Sequence, residues 1–342
     1  MYNFDEEFKY IFEESQLDIM ALKGTTVMIT GALGMLPACL VDFLLYLNKK
    51  NFGIKIILLA RSSDRLISRF GNENEKMKFI VQDIKDKISY SGRVDYIIHA
   101  AGNSSPYYIS NDPLGIIRAN VIGSLNVVDF ANIKQTKNIL FTSTREVYGK
   151  VDDGVTVISE DELGSFDQLE ERACYPESKR MAENIFKSAS MQYGLNFNIA
   201  RIAHSYGPGM ILSDGRVMAD LLGDVMSNND IILKSDGSAV RSFCYVTDAI
   251  SALLYILLSK STCKAFNVAN ENEDTSIYNL SQLLISLSNN EIGLKRKEPE
   301  SNNVYCNYKR VKLDTTNLES LGWKPKVSLR KGLVNTIKSF NN

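Results

Sequence analysis

Thr25-Thr26-Val27-Met28-Ile29-Thr30 runs without interruption into Gly31-Ala32-Leu33-Gly34-Met35-Leu36-Pro37, and Ala38-Cys39-Leu40-Val41-Asp42-Phe43-Leu44-Leu45-Tyr46-Leu47 follows. The first six residues form a run of strand length without the polar alternation of a half-exposed strand, so they read as a strand covered on both faces. The last ten read as a helix. Working outward, apolar runs of strand length recur at 54–60 (IKIILLA), 78–84 (KFIVQDI), 95–102 (DYIIHAAG) and 138–143 (NILFTS), with the helical segment IIRANVIGSLNVVDFAN at 116–132 among them. Strand–helix–strand alternation of this kind predicts an α/β chain built on a doubly wound parallel sheet.

Both flanks of this alternation differ from it. Phe4, Phe8, Ile11 and Phe12 fall at helical spacing, which predicts a helix packed on the main domain, with an oligomer contact as the alternative. Beyond about residue 200 the pattern loosens: HSYGPGMILSDGRV (204–217) reads as a loop leading into the helix VMADLLGDVMS. In the last third only SIYNLSQLLISLS (276–288) is clearly amphipathic, and Trp323 reads as core.

Composition narrows the classes. The chain has 342 residues, 44% hydrophobic and 23% charged, with a formal net charge of −1. That suits a globular protein without a global basic field for nucleic acid. No apolar run reaches the length of a membrane span, and the acidic start MYNFDEEFKYIFEE lacks the features of a signal peptide. Five scattered cysteines without a CxxC predict neither a disulfide framework nor a zinc cluster, and the cytoplasm is the expected compartment. Two histidines make a His-rich metal site improbable, so no metal is expected, and no GxSxG elbow supports a serine triad.

Gly31 and Gly34 lie where a dinucleotide fold needs them. They allow a tight turn and close approach of backbone to a pyrophosphate at the N-terminus of the helix whose first turn holds Met35 and Leu36. At the end of the second strand stands Ala60-Arg61-Ser62-Ser63-Asp64. An acid there accepts from a ribose 2′-hydroxyl, whereas an arginine suits a 2′-phosphate. Arg61 points to NADP; Asp64 can fold back onto a ribose, and Arg61 can instead stack on adenine. Farther on, Tyr175-Pro176-Glu177-Ser178-Lys179 puts a phenol and an ammonium at i and i+4, on one helical face. An ammonium close to a phenol lowers its pKa and prepares a general base. Thr144, from Ser143-Thr144-Arg145-Glu146-Val147-Tyr148-Gly149, supplies a hydroxyl to complete a Thr/Tyr/Lys site.

These segments resemble the extended short-chain dehydrogenases of the NAD-dependent epimerase/dehydratase family, which modify nucleotide sugars. Tyr206-Gly207-Pro208, Asp236-Gly237-Ser238-Ala239-Val240-Arg241 and Tyr245-Val246-Thr247-Asp248 look most like the UDP-glucuronate decarboxylase and dTDP-glucose 4,6-dehydratase branch. The resemblance spans roughly residues 22–338. It implies a Rossmann-type core over 23–200, after a helical extension at 1–22, and a smaller C-terminal α/β substrate lobe over 201–342 with some chain returning to the core. It also implies that Asp83 and Ile84, Ala100-Ala101-Gly102 and Asn120 line the cofactor, as Gly31, Gly34, Tyr175 and Lys179 do. His99 itself reads as a buried, hydrogen-bonded histidine. Tyr175 would take the C4 hydroxyl proton, Lys179 would hold the tyrosinate and the nicotinamide ribose, Thr144 would bond the 4-oxygen, and Glu146 would act as acid or base or bond the sugar. His204, Arg216 and Arg241 fall on the substrate side, and arginine suits a diphosphate. Many members with redox-neutral chemistry keep NAD, so the cofactor is NAD or NADP.

The chain departs from the family at three places. Pro37 replaces the third glycine of the turn, His204 replaces an asparagine, and Arg145 replaces the acid or serine after the active threonine. Arg145 removes the dehydratase's paired acid and the decarboxylase's serine, so epimerase ranks first, decarboxylase second, and 4,6-dehydratase or 4-ketoreductase next. A non-catalytic NAD(P)-binding sensor is the reading from a different class. Adjacent strand residues face opposite sides, so Arg145 and Glu146 converge only where the strand ends or bends, and Glu146 is the one expected inside. The resemblance implies a nucleotide-diphosphate sugar as substrate, a homodimer, and by family habit a place in cell-surface polysaccharide synthesis.

Overall fold

The computed structural model describes residues 2–288, 291–296 and 311–341; Cys306 and the polar stretch EPESNN lie outside them. Seven strands form one parallel sheet: β1 (Thr26–Thr30), β2 (Lys55–Ala60), β3 (Met77–Val81), β4 (Tyr96–His99), β5 (Asn138–Thr144), β6 (Phe197–Ile202) and β7 (Lys264–Val268). Their order is β3-β2-β1-β4-β5-β6-β7. The order reverses between β1 and β4, which opens a crevice at the carboxyl ends of those strands. This is the doubly wound parallel sheet that the alternation predicts and the Rossmann-type core that the resemblance implies.

Both faces of the sheet are covered, and the strands show it residue by residue. Val27 and Ile29 pack with Leu40, Phe43 and Leu44 of α2 (Met35–Lys49), whereas Met28 packs with the other core beneath α5 (Pro113–Lys134) and α6 (Cys174–Tyr193). The N-terminal helix α1 (Asp5–Glu13) also joins the first core: Phe8 meets Phe43 and Tyr46 edge-on at ring distances of 5.3 and 5.8 Å. Helix α5 is long and apolar enough to cross a membrane by length and composition. Its inner side, with Ile116, Val127, Val128 and Phe130, is core.

The C-terminal part is more regular than its sequence suggests. His204–Tyr206, expected in a loop, is a short strand pairing in parallel with Val240–Tyr245, which pairs antiparallel with Asp274–Ser276. Such a strand is specified by a distant partner, so no local pattern announces it. Val246–Leu258 is a helix without an amphipathic stripe because it is buried nearly all round. Trp323 is core as expected, and its Nε1 donates to Asp248 O at 3.1 Å and to Ser251 Oγ at 2.9 Å.

Candidate active site

The crevice opens into a cavity of about 2430 Å³, well above the ordinary range for one small ligand. Its floor is the turn between β1 and α2. Gly31 has φ +66°, and a Cβ there would lie 2.7 Å from Ala100 O, so only glycine lets β1 turn away this close to the end of β4. Gly34 caps α2 without a side-chain partner, and Met35, Leu36 and Pro37 follow on the cavity wall. The first N–H groups of a helix have no intrahelical acceptor, so a proline in that turn forfeits no hydrogen bond. Pro37 is buried, with its ring 3.2 Å from where a Gly34 Cβ would stand. The helix therefore starts without the third glycine. A bare helix N-terminus beside tight glycine backbone suits a pyrophosphate.

The end of β4 is held by one buried chain of hydrogen bonds. The Ser124 hydroxyl donates to Asn120 O at 2.6 Å, so its oxygen accepts from His99 Nε2, 3.3 Å away, and His99 Nδ1 accepts from the Thr30 hydroxyl at 2.8 Å. Thr30 Oγ1 in turn accepts from the N–H groups of Ala100 (3.2 Å) and Ala101 (3.1 Å). Burial, with Lys179 adding to it, pushes His99 down to about 3, so the ring is neutral and structural, as expected. Ala100, Ala101 and Gly102 line the cavity. A Cβ on Gly102 would stand 2.7 Å from Asn120 Oδ1. Asn120 donates to Ser178 Oγ at 2.9 Å, and its buried Oδ1 has no hydrogen-bond partner among the described residues. Asp83 and Ile84 line the neighbouring wall, and Lys85 holds Asp83 at 3.3 Å.

Helix α6 brings Tyr175 and Lys179 to this cavity, both almost fully buried, and β5 delivers Thr144 opposite them. One expectation is corrected here. The i, i+4 spacing predicts a lowered Tyr175, but the phenol is raised. Its Nζ donates to Thr142 O at 2.9 Å and lies 4.6 Å over the Phe141 ring. Burial pushes Tyr175 up to about 12; Glu146 raises it further, while Thr144, Arg216 and Ser104 pull it back. Burial also brings Lys179 down to about 8, against a smaller opposing pull from Glu183. Spacing predicts a shared face, but not which acceptor a long lysine stem selects.

The strand does end at Thr144. A short 3₁₀ turn, Arg145–Tyr148, follows, and both Arg145 and Glu146 line the cavity. Arg172, which the sequence reading overlooked, clamps Glu146 with Nη2 at 2.8 and 2.9 Å from its two oxygens. Its position three residues before Tyr175 was the available signal. On the far side His204, Arg216 and Arg241 line the same cavity. Arg216 Nη2 donates to Ser104 Oγ at 2.6 Å and Ser105 Oγ donates to Asp214 O at 2.8 Å, tying the two sides together. Ser104 is a second residue that sequence reading missed. Arg61 stands at the outer end of the cavity. All the residues predicted for the site thus line one cavity, apart from Asn120, which lies behind Gly102.

Known proteins resemble this chain along most of its length. The model of the NAD dependent epimerase/dehydratase family matches residues 27–269. UDP-glucuronic acid decarboxylase 5 of Arabidopsis thaliana is 32% identical over 308 residues, covering 90% of this chain and 86% of its own. The UDP-glucose 4-epimerase structure from Thermotoga maritima superposes with a TM-score of 0.80 at 25% identity, covering 93% of this chain and 99% of its own. A dTDP-glucose 4,6-dehydratase from Streptomyces venezuelae, with NAD bound, shares the fold at a TM-score of 0.78 and 20% identity, covering 93% and 97%.

Proposed function

The chain belongs to the NAD-dependent epimerase/dehydratase family, and on that premise we propose that it converts a nucleotide-diphosphate sugar through a 4-keto intermediate, as a 4-epimerase. The observation that carries this is the meeting of Thr144, Tyr175 and Lys179 on one cavity with the Gly31–Gly34 turn. A bound oxidised nicotinamide would supply a hydride acceptor and a positive charge there. With that positive charge drawing the phenol to phenolate, Tyr175 Oη would receive the proton of the C4 hydroxyl as that carbon loses hydride. Thr144 Oγ1 would hold the 4-oxygen, and Lys179 Nζ, already fixed on Thr142 O, would bond the nicotinamide ribose. Returning hydride to the opposite face inverts C4.

Arg145 supports epimerisation over elimination, because a guanidinium stays charged and donates no proton readily. Glu146 remains, held by Arg172. A second reading, decarboxylation of a sugar uronate, draws on the same half-buried Arg145, which could hold a carboxylate, and on the 32% identity to a UDP-glucuronic acid decarboxylase. The exposed Leu114, Ile122 and Leu125 of α5 and Met181 and Met191 of α6 support a homodimer through these helices. The free Cys39, Cys174, Cys244 and Cys263 suit the cytoplasm.

The test is product identification by NMR and mass spectrometry from UDP-, dTDP-, GDP- and CDP-sugars with NAD and NADP. A 4-epimer is expected. A pentose would establish the decarboxylase, and a 4-keto-6-deoxy sugar a dehydratase. Tyr175→Phe should bind nucleotide and make no product. If no sugar is turned over while nucleotide binds, the protein is a sensor and the catalytic reading falls.

A further inference from the structure

We propose that Glu183 and Arg201 are positioning residues for the reaction: their buried ion pair fixes the segment 143–148 against α6 and thereby sets where Thr144 and Glu146 stand relative to Tyr175 and Lys179. The proposal rests on reading Thr144, Tyr175 and Lys179 as the catalytic groups.

Lys179 and Glu183 are one turn apart on α6 and share a face. They grip consecutive residues of β5. Lys179 Nζ donates to Thr142 O at 2.9 Å, and Glu183 Oε1 accepts from the Ser143 hydroxyl at 2.5 Å. Thr144 is the next residue along the strand. These two bonds lock the helix that carries Tyr175 onto the strand end that carries Thr144.

The neighbouring strand supplies the other half. Arg201 of β6 is the partner of Ser143 across the β5–β6 ladder, and both side chains meet Glu183. Arg201 Nε lies 3.1 Å from Glu183 Oε1 and Nη2 lies 2.7 Å from Oε2, a forked contact. The remaining nitrogen, Nη1, donates to Tyr148 Oη at 3.1 Å and to Glu160 O at 2.7 Å, and the guanidinium carbon sits 4.9 Å from the centre of the Tyr148 ring. Tyr148 Oη donates in turn to Asn267 Oδ1 of β7 at 2.6 Å. The pair thus holds Ser143 and Tyr148, the two ends of the stretch that contains Thr144, Arg145 and Glu146.

Glu183 and Arg201 lie off the cavity wall, with side chains only 11% and 15% exposed, so they act through the residues they hold. Stability is a poor account of them. In a buried ion pair desolvation offsets much of the attraction, and well-packed apolar residues of similar volume commonly serve the fold as well. What apolar residues cannot supply is the fork, which fixes direction as well as distance.

The test combines melting curves, calorimetry with NAD⁺ and steady-state kinetics on the full chain, using whichever UDP-, dTDP-, GDP- or CDP-sugar the wild type turns over. E183M/R201M replaces the pair with apolar side chains of similar volume and should melt close to wild type. Its kcat should fall on the order of 100-fold, the cost of misplacing a reacting group by about 1 Å. Its KM and NAD⁺ affinity should stay within about threefold, since ground-state binding is untouched. Tyr148→Phe leaves the ion pair intact and cuts only the bond from Arg201 to the far end of the segment; its kcat should fall about tenfold, again without a matching change in KM. Wild-type kcat in the folded double variant overturns the positioning role; with Tyr175→Phe inactive, it leaves the catalytic reading standing. A raised KM with kcat unchanged makes the pair a matter of substrate binding and also overturns it. If the double variant does not fold, Tyr148→Phe decides alone: normal kcat there reduces the pair to a stabiliser. A wild type that turns over no sugar removes the catalytic reading and the proposal together.

Discussion

Lys179 carries an ammonium into a place that penalises it. Burial brings it from 10.5 down to about 8. Between those values the unfolded chain holds a proton that the folded chain has released, so this group makes stability rise with pH across that window; below about 8 the folded state bears the full cost. The cost is of order 3 kcal/mol at most, less the bond to Thr142 O. Lys179→Met should therefore abolish turnover yet melt higher than wild type at neutral pH without added nucleotide, and the gap should close as pH rises towards 10.5. Melting curves across that range decide it. A variant that melts lower at every pH would show that the ammonium is a net stabiliser. The residue types of this pair were legible at i and i+4. What each side chain does was not, because burial and the choice of acceptor depend on α5 and β5, far off in sequence.

The turn that ends β5 decides what Arg145 and Glu146 can do. Had the strand continued, the two would face opposite sides. Because it gives way to the 3₁₀ turn Arg145–Tyr148, both reach the cavity wall. Thr144 Oγ1 starts that turn by accepting from Glu146 N at 3.2 Å. Replacing Arg145 with Asp restores the order Thr-Asp-Glu. Native turnover should fall by about tenfold to a hundredfold, the range for a lost charged hydrogen bond, and a 4-keto-6-deoxy product should become detectable by NMR. Unchanged kinetics and products would place Arg145 outside the chemistry and reopen the dehydratase reading. The first turn of α2 makes the same point about elements. A proline for the third glycine casts doubt on close packing in the sequence, yet Pro37 sits buried where the helix needs no N–H from it.

Across the whole molecule, α5 and α6 cover one face of the sheet and leave Leu114, Ile117, Ile122 and Leu125, with Met181 and Met191, exposed. A homodimer would bury them. Leu125→Asp should convert a dimer to a monomer in light scattering with nucleotide affinity preserved, since the position is 46% exposed and far from any core cost. A wild type that is monomeric at high concentration would remove the dimer. The sequence by itself determined the parallel sheet, because strands covered on both faces and helices between them leave a local, periodic record in composition. It also determined the glycine turn, since only glycine tolerates φ +66° against Ala100 O. Tertiary structure alone decided that Lys264–Val268 is the segment that returns to the sheet edge, the strand at His204–Tyr206 and the Arg172 clamp on Glu146. Each of these depends on a partner distant in sequence or on the direction of a long side chain, and neither leaves a periodic signal. The raised Tyr175 belongs with them: its pKa is a property of the buried volume around it, not of its neighbours in the chain.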